Sequence, residues 1–186
     1  MTNRYFVGLL LLLICAGAVA KKVAGVEFPA QITVENHQKL VLSGAGVRTK
    51  YFFNIYACAL YVPHGTDKNS VFAADSRKRL IMHITYKEVS GDKLKNGFVE
   101  GIEANHKTRL PELKTRMDHF NTLFSTVHRG DEIILDFIPG KGVQVSAQGK
   151  VLGAVAGDDF AKAVLDIWLG PNPINNNLKQ SLMSDI

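Results

Sequence analysis

"GAGVRTKYFFNIYACALYVP", residues 44–63, is the most apolar stretch of the chain beyond its first twenty residues, and Arg48 stands near its head. Along a strand, successive side chains point to opposite faces. Phe53, Ile55, Ala57, Ala59 and Tyr61 then share one face, while Phe52, Tyr56, Cys58 and Leu60 share the other. Both faces are apolar, so the strand has to be covered on both sides and belongs in the middle of a sheet. Arg48 matches Tyr56 and Cys58 in parity. An unbroken strand would nevertheless hold it ~26 Å from Tyr56, and only a bend or bulge brings the two together. A guanidinium beside apolar surface is costly without a partner. Two kinds of partner fit: an internal carboxylate, Asp136 or Glu88, or the anionic group of an apolar ligand held in bidentate fashion.

The N-terminus stands apart from this fold argument. Arg4 precedes an unbroken small or apolar run, Phe6 to Ile14, and Ala18-Val19-Ala20 forms a cleavage pattern. Residues 1–20 therefore read as a secretory signal peptide of the bacterial type, too short to span a membrane, and the product is expected in the periplasm or outside the cell. Residues 21–186 form one domain, with no membrane anchor expected once the leader is gone. Removing Arg4 lowers the formal net charge from +5 to +4. Removing Cys15 leaves Cys58 as the sole cysteine, which excludes an intramolecular disulfide and a structural cysteine zinc site. The densest basic run, Arg77-Lys78-Arg79, has no interleaved aromatics and reads as a solvated turn, so a nucleic-acid partner is not expected.

Outward from the central strand, "ITVENHQKLVLSG" reads as a hairpin turning at Glu35-Asn36-His37, and "LIMHITY" (80–86) as a second internal strand. Leu94, Phe98 and Ile102 then recur every four residues, with Asp92 available as a cap, although Gly97 and Gly101 weaken that helix. Beyond Pro111, the spacing of Leu113, Met117, Phe120, Phe124 and Val127 predicts a second helix running to His128-Arg129-Gly130. Turns at Pro139–Gly142 and Gln148–Lys150 divide the next segment into three antiparallel strands. Phe160, Val164 and Ile167 stripe a helix capped by Asp158 or Asp159 and stopped at Gly170, and "NNNLKQSLM" is a short last helix. Strands, a helix pair, strands and helices in that order predict an α+β domain with an antiparallel sheet.

Several chemistries find no motif. Gly44-Ala45-Gly46 lacks a third glycine and leads into a strand rather than a helix, so it reads as a tight bend, not a phosphate loop. The six histidines show no ligand spacing, so no metal site and no cofactor are expected. Ser43, Ser90 and Ser125 lack a nucleophile elbow. Cys58 reads as packing, since nothing near it in sequence lowers its pKa.

"LSGAGVRTKYFFNIYACALYVP" (42–63) resembles the N-terminal signature of chalcone isomerase-like proteins, a glycine-x-glycine-x-arginine segment entering a Phe/Tyr-rich strand. "GDEIILDFIPGKGVQVSAQGKVLGAVAGDDFAKAVLDIWLG" (130–170) resembles that family's C-terminal hairpins and closing helix. The resemblance implies an open-faced β-sandwich, a large curved antiparallel sheet packed against a layer of helices, with a ligand cleft between the layers. It also implies that Arg48 stands where the family's enzymes hold a substrate oxyanion. Tyr56 replaces their strand threonine, Ile167 replaces a small hydroxyl residue, and the connection from the arginine is four residues shorter. Tyr86 lies near the place of their tyrosine without matching it. With one match in four, no catalytic residues are expected; an active protein would rely on Arg48 and Tyr56. Losing such donors typically costs about a hundredfold or more each in rate. Other family members bind fatty acids without catalysis. The expectation is thus a cleft lined by Arg48, Tyr56, Cys58 and Ile167 that binds a small apolar anion such as a fatty acid. The alternatives are an intramolecular lyase acting on a chalcone-like or smaller substrate, and an interaction protein whose cleft is vestigial. Oligomeric state is not specified by these residues.

Overall fold

The computed structural model describes residues 20–186. The expected leader therefore lies, but for Ala20, outside the described residues. In chain order the elements are β1 (Lys21–Val23), β2 (Val26–Phe28), β3 (Gln31–Thr33), β4 (Lys39–Lys50), β5 (Phe53–Val62), β6 (Lys78–Ile84), β7 (Glu88–Val89), α1 (Gly91–His106), α2 (Leu110–Thr122), β8 (Val127–His128), β9 (Glu132–Ile138), β10 (Gly142–Ala147), β11 (Lys150–Val155), α3 (Asp158–Leu169) and α4 (Asn176–Leu182). Seven strands form one curled antiparallel sheet in the order β11-β10-β9-β6-β5-β4-β3. β1–β2 and β7–β8 are separate two-stranded ribbons.

β5 sits inside the sheet, as its two apolar faces require, and each face belongs to a different core. Tyr56, Cys58, Leu60 and Val62 join the main core between sheet and helices. Ala57, Ala59 and Tyr61 join a smaller core on the other face, closed by Phe28, Val34 and Leu40 from the N-terminal segment. Tyr61 fits there because its hydroxyl donates to the Pro29 carbonyl at 2.9 Å, which satisfies a polar tip that burial would otherwise strand. α3 is buried almost all round, including Phe160, Val164, Ile167 and Trp168, and serves as the spine of the helix layer.

Five local expectations need correction. First, residues 44–63 are not one strand. Tyr51 and Phe52 make a two-residue turn between Lys50 and Phe53, with Tyr51 at φ = 57°, a region bulky residues seldom enter. Second, Gly44 and Gly46 do not bend the chain into the strand; both lie within β4, where α4 rests on them. A Cβ on Gly46 would stand 2.5 Å from Ser181 Cβ, and one on Gly44 would collide with the Ser181 carbonyl oxygen. The bare backbone thus allows the close approach of α4, which the Ser43 hydroxyl secures by donating to the Leu182 carbonyl at 2.7 Å.

Third, Arg77-Lys78-Arg79 is not a solvated turn. Arg77 and Lys78 are buried, and Lys78 and Arg79 open β6. Arg79 grips Asp136 through Nε at 2.9 Å and Nη2 at 2.6 Å, while Arg77 reaches Glu35 at 3.3 Å and Asp136 at 3.7 Å. The run spends its charge inside the protein, because β6 and β9 set Arg79 directly opposite Asp136. Fourth, α2 ends at Thr122, not at His128. Phe124 and Val127 are buried as their spacing suggests, but both lie beyond the end of the helix, and Val127–His128 pairs with Glu88–Val89. The α1 cap is also Ser90 rather than Asp92: the Ser90 hydroxyl accepts from the Lys93 amide.

Candidate apolar cavity headed by Arg48

The β4–β5 pairing decides where Arg48 points. Lys50 faces Phe53 and Thr49 faces Asn54, but Arg48 faces Tyr56, so Ile55 is an extra residue bulged out of the ladder. Without that bulge Arg48 would pair with Ile55 and lose its place beside the apolar row. With it, Gly44, Gly46 and Arg48 lie opposite Leu60, Cys58 and Tyr56 along one line of the sheet. α4 covers the two glycines, and Arg48 emerges where that cover stops. The bulge has a second consequence. The Ile55 carbonyl accepts from both the Thr85 amide (3.0 Å) and the Tyr86 amide (3.1 Å), which ties the end of β6 to the hairpin and swings Tyr86 inward.

These groups surround a cavity of about 370 Å³ between the sheet and α1. Tyr56 and Met82 contribute from the sheet, Leu94, Gly97 and Phe98 from α1, and Ile174 from the segment after α3. Arg48, Lys50, Tyr51, Phe53, Tyr86, Lys93 and Glu100 also line it. Phe53 meets Tyr86 edge to face at 5.5 Å between ring centres. Gly97, which weakens α1 as a helix, leaves open space here: a Cβ built on it has nothing within 4 Å.

Arg48 is not held by either of the expected carboxylates. Asp136 lies with Arg79 on the opposite face of the sheet and is engaged there. Glu88 lies 3.3 Å from His128 in the β7–β8 ribbon. Among the described residues no carboxylate forms an ion pair with Arg48; its guanidinium carbon instead sits 5.8 Å from the centre of the Tyr56 ring. Tyr56 is 2% exposed, and its hydroxyl accepts from Trp168 Nε1 at 2.9 Å. Burial pushes its pKa well above the ordinary tyrosine value, outweighing the opposing pull of Arg48, so the phenol is neutral at physiological pH.

Of the four residues expected to line the cleft, Arg48 and Tyr56 do so and Cys58 and Ile167 do not. Cys58 is fully buried one step deeper along β5, under α4, and burial pushes its thiol pKa up. Ile167 is fully buried in α3 and faces α1, where it fills the notch left by Gly101; a Cβ on Gly101 would stand 2.7 Å from Ile167 Cγ2. Tyr86, Met82, Gly97 and Ile174 are lining residues that spacing alone does not single out. Leu94 and Phe98 were visible only as a helical stripe, because a stripe that borders a cavity has the same period as one that fills a core.

A curled antiparallel sheet backed by helices, enclosing a mostly apolar cavity with one arginine at its head, defines an open-faced β-sandwich. The chain belongs to the chalcone isomerase-like family, whose model matches residues 20–184. Among solved structures it is similar to a fatty-acid binding protein of Arabidopsis thaliana, with 19% identity and a TM-score of 0.69 over 87% of this chain and 93% of that one. At that identity the likeness is one of fold. No curated protein matches the chain in sequence.

Proposed function

We propose that this protein is exported, loses residues 1–20, and binds a small apolar anion such as a fatty acid in the cavity without turning over chalcones. The observation that carries the reading is the Arg48 guanidinium, which has no carboxylate partner among the described residues and heads a cavity walled by Phe98, Leu94, Met82 and Ile174. A buried-edge cation of this kind is stabilised by a carboxylate that brings its own apolar tail, through charge-assisted hydrogen bonds at one end and area burial along the rest. The volume falls within the ~300–1,000 Å³ typical of small-molecule sites, which argues against a vestigial cleft filled by the protein's own side chains. Fatty-acid binding by a similarly folded plant protein supports the same choice of ligand. At the position of the enzymes' small hydroxyl residue, Ile167 offers no donor and lies off the cavity wall. Extraction and mass spectrometry of lipids from the purified protein, with melting temperature measured against added fatty acids, test the proposal. No bound lipid and no thermal shift would overturn it.

One observation favours a second reading, an intramolecular lyase. Tyr86 and Tyr51 line the cavity with Arg48 and Tyr56, so phenol groups from two other segments reach the wall that holds the cation. Stopped-flow absorbance with naringenin chalcone separates the readings: turnover abolished by Arg48→Ala would establish catalysis.

A further inference from the structure

The tip of the β4–β5 hairpin is built against ordinary surface logic. Tyr51, Phe52 and Phe53 are consecutive aromatics that are 85%, 98% and 55% exposed, the most exposed large apolar group of the described chain. Soluble surfaces seldom display such a cluster without a partner. Its place is specific: Tyr51 and Phe53 form part of the cavity lining, so the tip stands at the cavity mouth. Charge at that mouth is one-sided, with Arg48, Lys50 and Lys93 against the single carboxylate of Glu100. Lys95 nearby is balanced by Asp92 at 3.8 Å.

We infer that this tip docks the protein on an anionic lipid surface, with the aromatics entering the interface and the cations meeting the headgroups, so that the cavity opens toward the bilayer. The patch is convex, a two-residue turn at the end of a ribbon. A specific protein partner needs about 800 Å² per side, more than three aromatics of roughly 150–250 Å² each offer. Shallow interfacial insertion needs no matching pocket; it draws on apolar area and attraction to anionic headgroups together. Aromatic rings with a polar edge settle at that depth, as tyrosine does in membrane proteins. Among the described residues no helix is long and apolar enough to cross a membrane; insertion of a few side chains at a hairpin tip is shallow and peripheral. Docking shares Arg48 with the proposed cargo site, while Phe52 belongs to docking alone.

The test uses residues 21–186, which carry every described strand and helix, in flotation with phosphatidylcholine vesicles and with mixed phosphatidylcholine–phosphatidylglycerol vesicles. Phe52 is the residue to change, because it is outside the cavity lining and packs on nothing. Phe52→Asp is expected to weaken partitioning to the anionic vesicles by about tenfold or more while leaving the melting temperature unchanged. Added salt weakens wild-type partitioning as well. Phe52→Trp, read by fluorescence, is expected to shift its emission to the blue on addition of the same vesicles. Equal flotation of wild type and Phe52→Asp, or no flotation of either, overturns the inference. So does a concentration-dependent dimer in ultracentrifugation that Phe52→Asp converts to monomer without any vesicle binding, which would make the tip a self-association surface. Fatty-acid titration without vesicles is a separate readout: if it shows no binding, the cargo proposal falls and docking still stands on flotation.

Discussion

Arg48 and Tyr56 are direct cross-strand partners, and the guanidinium carbon of the first lies 5.8 Å from the ring centre of the second. The ring is fixed from behind by the Trp168 indole N–H, which donates to its hydroxyl. The pair therefore presents a positioned cation on a rigid aromatic wall, and its arrangement predicts how each half responds to change.

Arg48→Met keeps most of the side chain's apolar stem and removes its charge. Because no internal ion pair is broken, stability is expected to stay within about 0.5 kcal/mol of wild type. Fatty-acid affinity is expected to fall by roughly tenfold to a hundredfold, the usual weight of a hydrogen bond to a charged group. Isothermal calorimetry beside thermal unfolding checks both. An internal carboxylate partner would give the reverse pattern, lower stability and unchanged affinity.

Tyr56→Phe leaves the Trp168 N–H buried without an acceptor. The expected loss is about 1–3 kcal/mol of unfolding free energy. Trp168 is the only tryptophan of the chain, so its fluorescence reports the lost hydrogen bond directly. Unchanged emission together with unchanged stability would mean that the indole bond is not maintained in solution.

Two of the three glycines of α1, Gly97 and Gly101, are expected to behave in opposite ways. Gly97 borders empty cavity, so Gly97→Leu should retain or slightly raise stability, since Gly in a helix costs roughly 0.5–1 kcal/mol relative to Ala, while it obstructs ligand. Gly101→Ala pushes a methyl group against Ile167 and should destabilise by about 1–3 kcal/mol. Adding Ile167→Ala removes both clashing γ carbons, so the double variant should lose less than the two single variants together, and a double-mutant cycle in urea measures the coupling.

Asp159, in the first turn of α3, accepts from Arg116 at 2.6 and 2.9 Å and from Arg109 at 2.9 Å. The hydrogen bonds from Arg116 hold its carboxyl well below the usual aspartate range. A carboxylate with a depressed folded-state pKa contributes stability that is present above the unfolded value, ~4, and is lost as pH falls through the folded one. Asp159→Asn should therefore melt lower than wild type at neutral pH, with the gap closing in acid. The side chain is 40% exposed, so solvent screening keeps the effect modest. A gap that widens in acid would contradict the assignment.

Much of the architecture follows from periodicity. Alternation with two apolar faces places 53–62 inside a sheet, four-residue stripes mark α1 and α3, and glycine-rich turns divide β9, β10 and β11. These features are local, since each depends on side chains a few residues apart. The turn at Tyr51-Phe52 is hidden because tyrosine and phenylalanine favour strands, and neither glycine nor proline marks the reversal. The end of α2 is hidden because Phe124 and Val127 keep helical spacing although both lie past the end of the helix, Val127 on a strand paired with Val89.

From its residues alone the chain determines a two-sided central strand, a helix layer and a conspicuous arginine, because hydrophobic period and residue chemistry are written along the backbone. Only the tertiary structure decides what that arginine faces. The bulge at Ile55 turns Arg48 toward Tyr56, the seating of α4 on Gly44 and Gly46 hides Cys58, the notch at Gly101 takes Ile167 away from the wall, and Asp136 spends its charge across the sheet. Each of these depends on contacts between segments far apart in sequence, and no local pattern encodes such distances.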